Sequence, residues 1–444
     1  MRIFAKGELK LLWPFYFDAL ISTILFFAPA FFIVYFRELN FSLFQVGLLL
    51  AVPGVMALLF DIPAGAFADL HGRKVSVLVG IFLQAIALGL LYFFTSFFAI
   101  AIIFAFMGLA STLVSGASTA WTTDLIYHRN KKLLTGYFAK SDSIASLGMV
   151  FSGLLGAFLV KEIGIKIIWP AAALSLFISI IILSFGKEIF VSKKTNFSQS
   201  IKEIKKQTFR SISFSWNSKI IFSLILAAIL ISFAYAPLEL GFVPLLQNLG
   251  LSDYTFGYFW SAMAAVGVVA PLISQKVLKH GKERKFIITT TTISILFTLA
   301  IVFADTLTIA ISAVIALIFS FDMRHPIILA YFQKFVPSKL RATVSSVKNM
   351  ALAATGIIAI PLAGYVIDIV GAKMTIFYAG FIAIPAAIIY YMIKDPYEHD
   401  KYQKHRRGEE IYKEIRKADY REIARHHIRQ KTHRIRRLRH TSFP

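Results

Sequence analysis

The sequence predicts an all-α membrane protein of twelve transmembrane helices, and three observations carry that prediction. Of 444 residues, 57% are hydrophobic and 16% charged, with a mean hydropathy of +0.69, whereas a soluble domain is nearer half apolar and a quarter charged. Apolar runs of about twenty residues recur along the whole chain, each long enough to cross roughly 30 Å of hydrocarbon as a helix. Strands of a membrane barrel would be half that length and would alternate.

Taken between clusters of charged and turn residues, the runs place spans near 11–37, 44–68, 75–95, 98–126, 135–160 and 165–185, then 220–246, 255–277, 286–303, 307–335, 344–369 and 374–393. The segment Met1–Lys10 leads into an apolar stretch longer than a signal peptide's core, without a small-residue cleavage site, and reads as the flank of the first span. The formal charge is +23, and the basic residues fall in alternate connections: His71-Gly72-Arg73-Lys74, Arg129 to Lys132, the 187–219 segment, Lys276 to Lys285, Lys334 to Arg341, and the tail. The other connections hold only Arg37, Lys161, Lys166 and Lys373. By the positive-inside rule both termini lie in the cytoplasm, as an even number of spans requires, and the expected location is the cell membrane.

The organisation that follows is residues 1–186 with six spans, a basic linker at 187–219, residues 220–395 with six more, and a basic tail at 396–444. The linker, with eight Lys/Arg and two Glu, reads either as a solvated spacer or as an amphipathic segment on anionic lipid. No cysteine is present, which removes thiol chemistry, disulfides and cysteine metal sites. No G-x-x-x-x-G-K-[ST] loop occurs, so ATP-driven pumping is not expected. Neither a cofactor nor a metal is expected. The pair His426-His427 lacks further ligands.

The halves repeat at an offset of 208 to 210 residues. Ala28-Pro29 matches Ala236-Pro237; Leu39, Ser42 and Gly47 match Leu249, Ser252 and Gly257; Gly72 matches Gly281; Lys140, Gly148 and Gly156 match Lys348, Gly356 and Gly364. Parallel repeats of this kind build many transporters. Ser42 and Ser252 precede helical runs and are expected to accept a hydrogen bond from a free amide, as N-caps do. The glycines spaced eight apart share a helix face and are read as packing positions, because close helix approach in lipid needs small residues.

Between the second and third spans stands Asp61-x-Pro63-x-Gly65-x-x-Ala68-Asp69-x-x-Gly72-Arg73-Lys74, and the fourth span ends Ser115-Gly116-Ala117-x-x-Ala120-x-x-x-Asp124. The loop is similar to the signature of the major facilitator superfamily, G-x-x-x-D-x-x-G-R-[RK]. The resemblance covers about residues 11–394 and implies two pseudo-symmetric six-helix bundles around a cavity that opens alternately to either side. It implies that Asp61, Gly65, Asp69, Gly72, Arg73, Lys74 and Asp124 form a cytoplasmic gate, with Asp124 paired to Arg73. The second-half copy around Gly281 keeps glycine and basic charge without the aspartate. Arg324-x-Pro326, Pro337, Arg341-Ala342-Thr343 and Ser345 also look like the tenth-to-eleventh junction of several exporters in the family. Two features common in proton-coupled exporters are missing: an arginine within the fourth span, and a proline between Gly148 and Gly156.

Ionisable residues inside spans cost at least about 2.5–3.5 kcal/mol at the bilayer centre, so they face water or a partner. Asp322 and Arg324 lie mid-span, about 200° apart around a helix, and do not simply neutralise one another. Their role is either substrate binding and coupling or an inter-helix bridge. Asp18, beside Tyr16, is read as a titrating carboxylate or as a bond to a neighbouring helix. Glu239, between Pro237 and Gly241, is a candidate for an outer gate. Lys140, Asp142 and Lys348 are read as snorkelling to water.

The last fifty residues, 395–444, hold fifteen Lys/Arg, eight Asp/Glu and six of the ten histidines, with apolar residues at loosely helical intervals. The expected partner of this tail is anionic lipid, with nucleic acid not expected. The expected function is secondary transport of a small solute, with a proton or other ion as a candidate coupling partner, by a monomer and in the exporting direction. Nutrient uptake and a transport-dead scaffold acting through the tail are the alternatives. No clustered catalytic set marks the chain as an enzyme.

Overall fold

The computed structural model describes residues 4–5, 7–129, 133–189, 213, 215–278, 281–337 and 340–393. Most of the linker and the whole tail, with His426-His427, lie outside the described residues. Among the described residues, twelve helical spans are long and apolar enough to cross a membrane, and there is no strand.

The first span is broken into α1 (Glu8–Leu25) and α2 (Ala28–Glu38). Pro29 is the cause: it has no N–H for the carbonyl one turn back, and its ring clashes there. Then follow α3 (Leu43–His71), α4 (Arg73–Leu90), α5 (Phe97–Arg129), α6 (Leu133–Ile163) and α7 (Ile168–Ser184). The second half contains α8 (Lys219–Asn248), α9 (Phe256–Val277), α10 (Glu283–Ala300), α11 (Leu307–Phe335), α12 (Arg341–Val370) and α13 (Ala372–Met392). Pro237, the repeat mate of Pro29, sits inside α8 without ending it.

Helices α1–α7 pack into one bundle, in which α1 lies against α6 and α7, and α5 against α3 and α4. Helices α8–α13 form the other, with α8 against α12 and α13, and α10 against α11 and α13. Glu8 and Met392 lie on the same face, here termed the terminal face. The bundles meet along two seams, α3 with α12 and α6 with α9.

In the first seam a Cβ added to Gly47 would lie 2.7 Å from Pro361 Cα, and one on Gly364 would collide with the Leu43 carbonyl. In the second, a Cβ on Gly153 would collide with the Gly257 carbonyl. By the repeat offset Gly47 corresponds to Gly257 and Gly153 to Pro361, so the two seams are one contact made twice. At the face opposite the terminal face Arg37 donates to Gln247 at 2.8 Å, and these positions are also repeat mates.

All these contacts lie in the half of the molecule away from the terminal face. The apolar core divides the same way. One cluster crosses both bundles there, joining Phe31, Val46 and Leu49 to Leu240, Val243 and Phe256. Toward the terminal face are two separate clusters, one around Leu12, Trp121 and Leu125 and the other around Ile221, Tyr331 and Tyr390. The bundles therefore close at one face and part toward the other.

Two expectations from the repeat change. Ser42 does cap α3, in a capping box with Gln45, but Ser252 makes no side-chain cap because a 3-10 turn, Asp253–Thr255, intervenes before α9. Gly148 and Gly156 approach Thr23 and Phe27 within their own bundle, whereas Gly364 crosses a seam. Gly356 makes no close approach, and only Ile360 of its own helix comes within 4 Å; its neighbour Ile357 is the residue that meets α3, at Gly54.

Candidate functional site

The parted half exposes the signature loop. Arg73 forms an ion pair with Asp124 and donates to the Ala120 carbonyl at 2.9 Å. Both side chains are substantially exposed, so the pair contributes at most about 1 kcal/mol. Gly72 has a φ of +100°, and Glu188 at the start of the linker accepts the Lys74 N–H at 3.0 Å, placing a carboxylate on the N-terminus of α4. Lys74 in turn donates to the Ser184 and Gly186 carbonyls at 2.6 and 2.9 Å. The loop thus holds the end of the sixth span. Asp61 and Asp69 are exposed, and Gly65 has open space where a Cβ would stand. Asp61, Gly65, Asp69 and Arg73 line a cavity of about 360 Å³ with Ser115 and Gly116.

At the terminal end of the first bundle Glu8 is fully buried, and both its carboxylate oxygens accept from Lys140 Nζ at 2.7 Å. Tyr16 donates to the same carboxylate at 2.6 Å, and the Ala5 N–H at 2.7 Å. Lys140 therefore does not snorkel to water, and Tyr16 serves Glu8 rather than Asp18. Asp18 instead accepts a hydrogen bond from Ser179 on α7, inside its own bundle. Glu8 was not legible as a site residue because it stands among Lys6 and Lys10 in an apparent flank.

The second bundle groups the remaining charges. Asp322 points toward α9, where its carboxylate would be 3.6 Å from a Cβ on Gly267. Arg324 points the other way, donating to Thr291 on α10 at 3.1 Å. Tyr235 stacks on Phe321 with ring centroids 4.6 Å apart and lies within electrostatic reach of both Glu239 and Asp322. Glu239 is exposed although Ala236, Leu238 and Leu240 around it are buried. The His325 ring lies near-parallel to Phe321 with centroids 6.4 Å apart, within reach of Lys348. Asp322 and Glu239 form no ion pair among the described residues. Tyr235 and His325 carried no sequence signal apart from their spacing to the embedded acids.

A sequence profile described as Major Facilitator Superfamily matches residues 13–359 and 283–440. The chain belongs to the Major Facilitator Superfamily. Among its relatives is an uncharacterized MFS-type transporter, YxaM of Bacillus subtilis (strain 168), 23% identical over 375 residues, covering 81% of this chain and 90% of that one. An uncharacterized transporter of Buchnera aphidicola subsp. Schizaphis graminum (strain Sg) is 29% identical over 223 residues, covering 49% of this chain and 52% of that one. The crystal structure of the nucleoside transporter NupG superposes with a TM-score of 0.67 at 13% identity, covering 86% of this chain and 99% of that one. The crystal structure of a point mutant of NupG gives 0.65 at 14% identity, covering 85% and 99%. This likeness shows the fold: two six-helix bundles of the MFS type. The chain is a multi-pass membrane protein of a transporter family.

Proposed function

We propose that this MFS protein carries a small polar or charged solute across the membrane by alternating access, with Asp322, Glu239 and Tyr235 at the substrate or coupling site. The observation that carries the reading is the asymmetric closure: both seams are tight at one face and apart at the other, with two unpaired acids between them. An embedded carboxylate without a cation is held at a cost that a substrate or coupling ion offsets. Arg73, Lys74, Lys282, Lys285 and Arg341 lie toward the terminal face, which supports placing that face and both termini in the cytoplasm. The arrangement is then the cytoplasm-open member of the cycle, and the signature loop with Asp61, Gly65, Asp69, Gly72, Arg73, Lys74 and Asp124 is the gate that closes in the other.

The direction we propose is export, supported by the exporter-like junction from Arg324 to Ser345. A second reading, uptake, draws on the fold shared with a nucleoside transporter. Proteoliposomes carrying a proton gradient, challenged with sugars, nucleosides, organic anions and lipophilic cations, test both. One solute class should drive proton flux that Asp322→Asn abolishes, and the gradient polarity that concentrates the solute gives the direction. Isotope flux that is equal in Asp322→Asn, Glu239→Gln and the unaltered protein would contradict the site assignment.

A further inference from the structure

Two charged side chains are buried among the described residues, Glu8 and Arg324. Glu8 is neutralised by Lys140 at 2.7 Å. Arg324, only 4% exposed, has no carboxylate within ion-pair distance among the described residues. Of its five N–H donors one is used, by Thr291, and its guanidinium lies 5.2 Å from the Phe321 ring centroid. A guanidinium does not shed its charge in the way a buried lysine does. Burying it without a counter-charge costs several kcal/mol, more than one hydrogen bond and one ring contact offset.

Beside it lies a cavity of about 40 Å³, lined by Arg324, Thr291, Ser294, Thr298, Tyr235 and Phe321. The hydroxyls of Thr291, Ser294 and Thr298 donate to carbonyls one turn back on α10, at 2.7, 2.9 and 2.8 Å. Those carbonyls belong to a continuous helix and keep their backbone partners, so each hydroxyl proton is free to rotate toward a guest. One water needs roughly 10–15 Å³ of such space. At roughly three waters' worth of such space, the cavity admits one small ion with water beside it.

We propose that this cavity holds a single small monovalent inorganic anion, of the halide class, as the counter-ion of Arg324. One guanidinium charge calls for one negative charge, and the unused N–H donors and rotatable hydroxyls supply its ligands. The site lies between α8, α10, α11 and α13 inside the second bundle and shares Tyr235 with the solute site proposed above, whereas Arg324 itself points away from Asp322. It stands whether or not Asp322 and Glu239 handle the transported solute.

The test is thermal unfolding of the purified full-length protein in chloride, bromide, gluconate and sulfate at equal ionic strength. An ion that binds only the folded state raises the midpoint with concentration. Chloride and bromide should raise it saturably, on the order of 2 °C or more, while gluconate and sulfate do not. Arg324→Gln and the cavity-filling Ser294→Val should each lose the halide increment. Equal midpoints in all four salts would mean that the cavity holds water alone and would overturn the proposal. A halide increment that survives Ser294→Val would place the ion elsewhere and overturn it equally, even if Arg324→Gln fails to fold.

Discussion

Asp368 of α12 accepts the backbone N–H groups of Leu43 and Phe44, each at 2.9 Å, and so caps the start of α3 in the other bundle. These are two of the amides that a helix leaves free at its N-terminus, and the carboxylate also meets the positive end of the helix dipole. The second seam has no such device: the offset places Val160 where Asp368 stands. One acid therefore locks one seam at the closed face.

Removing that acid should loosen the closed face. Loss of an N-cap costs about 1 kcal/mol, within a range of roughly 0.5–2, which is about fivefold in population. Because the chain has no cysteine, a single Leu43→Cys reporter has no background. Its labelling by a membrane-impermeant thiol reagent should be several-fold faster with Asp368→Ala than without. Equal rates would show that the cap does not hold the seam.

Glu8→Gln should destabilise the first bundle by roughly 3 kcal/mol, the scale for breaking a buried pair, lessened by the 24% exposure of Lys140. Lys140→Met should cost a similar amount, and the double substitution less than the sum, because each single change leaves the other charge unmatched. The repeat mate Lys348 stands over the Phe332 ring at 5.2 Å, near His325, and pairs with no carboxylate among the described residues. Lys348→Met should therefore cost about 1 kcal/mol or less. Thermal midpoints of the four variants check the ordering.

Asp18 and Asp322 should separate in function. Asn at position 18 still accepts the Ser179 hydroxyl proton, so Asp18→Asn should leave folding and transport within about twofold of the unaltered protein. Asp322→Asn removes an unpaired charge between the bundles and should lower solute-driven flux at least about tenfold, the equivalent of 1.4 kcal/mol, without lowering the thermal midpoint. Flux and unfolding measured on the same preparations distinguish the two.

The spans were legible because hydropathy over twenty residues is a strong signal, and the signature loop was legible because Asp61 to Lys74 are contiguous in sequence. The pairing of Arg73 with Asp124 followed from resemblance alone. What escaped is what depends on tertiary direction. Pro29 and Pro237 are repeat mates, yet only the first ends a helix. Composition does not distinguish Glu8, fully buried, from the lysines beside it. Angular spacing separated Asp322 from Arg324 without saying which neighbour each meets. The Gly153–Gly257 contact crosses the halves, so no comparison of one half with the other discloses it.

Alternating access requires the two faces to exchange closure, and distances between spin labels report that exchange. Spin labels at Glu38 and Ser252 report the closed face, and labels at His71 and Lys282 the terminal face. In the unaltered protein the first pair should be short and the second long. Leucine at Gly153 cannot fit against the Gly257 carbonyl, which occupies the place of its Cβ, and should reverse both distances. At Gly65, where no atom lies within 4 Å, leucine should preserve the first pattern and block its reversal. If Gly153→Leu lengthens the first distance while the second stays long, the bundles have merely come apart, and alternating access through these seams is contradicted.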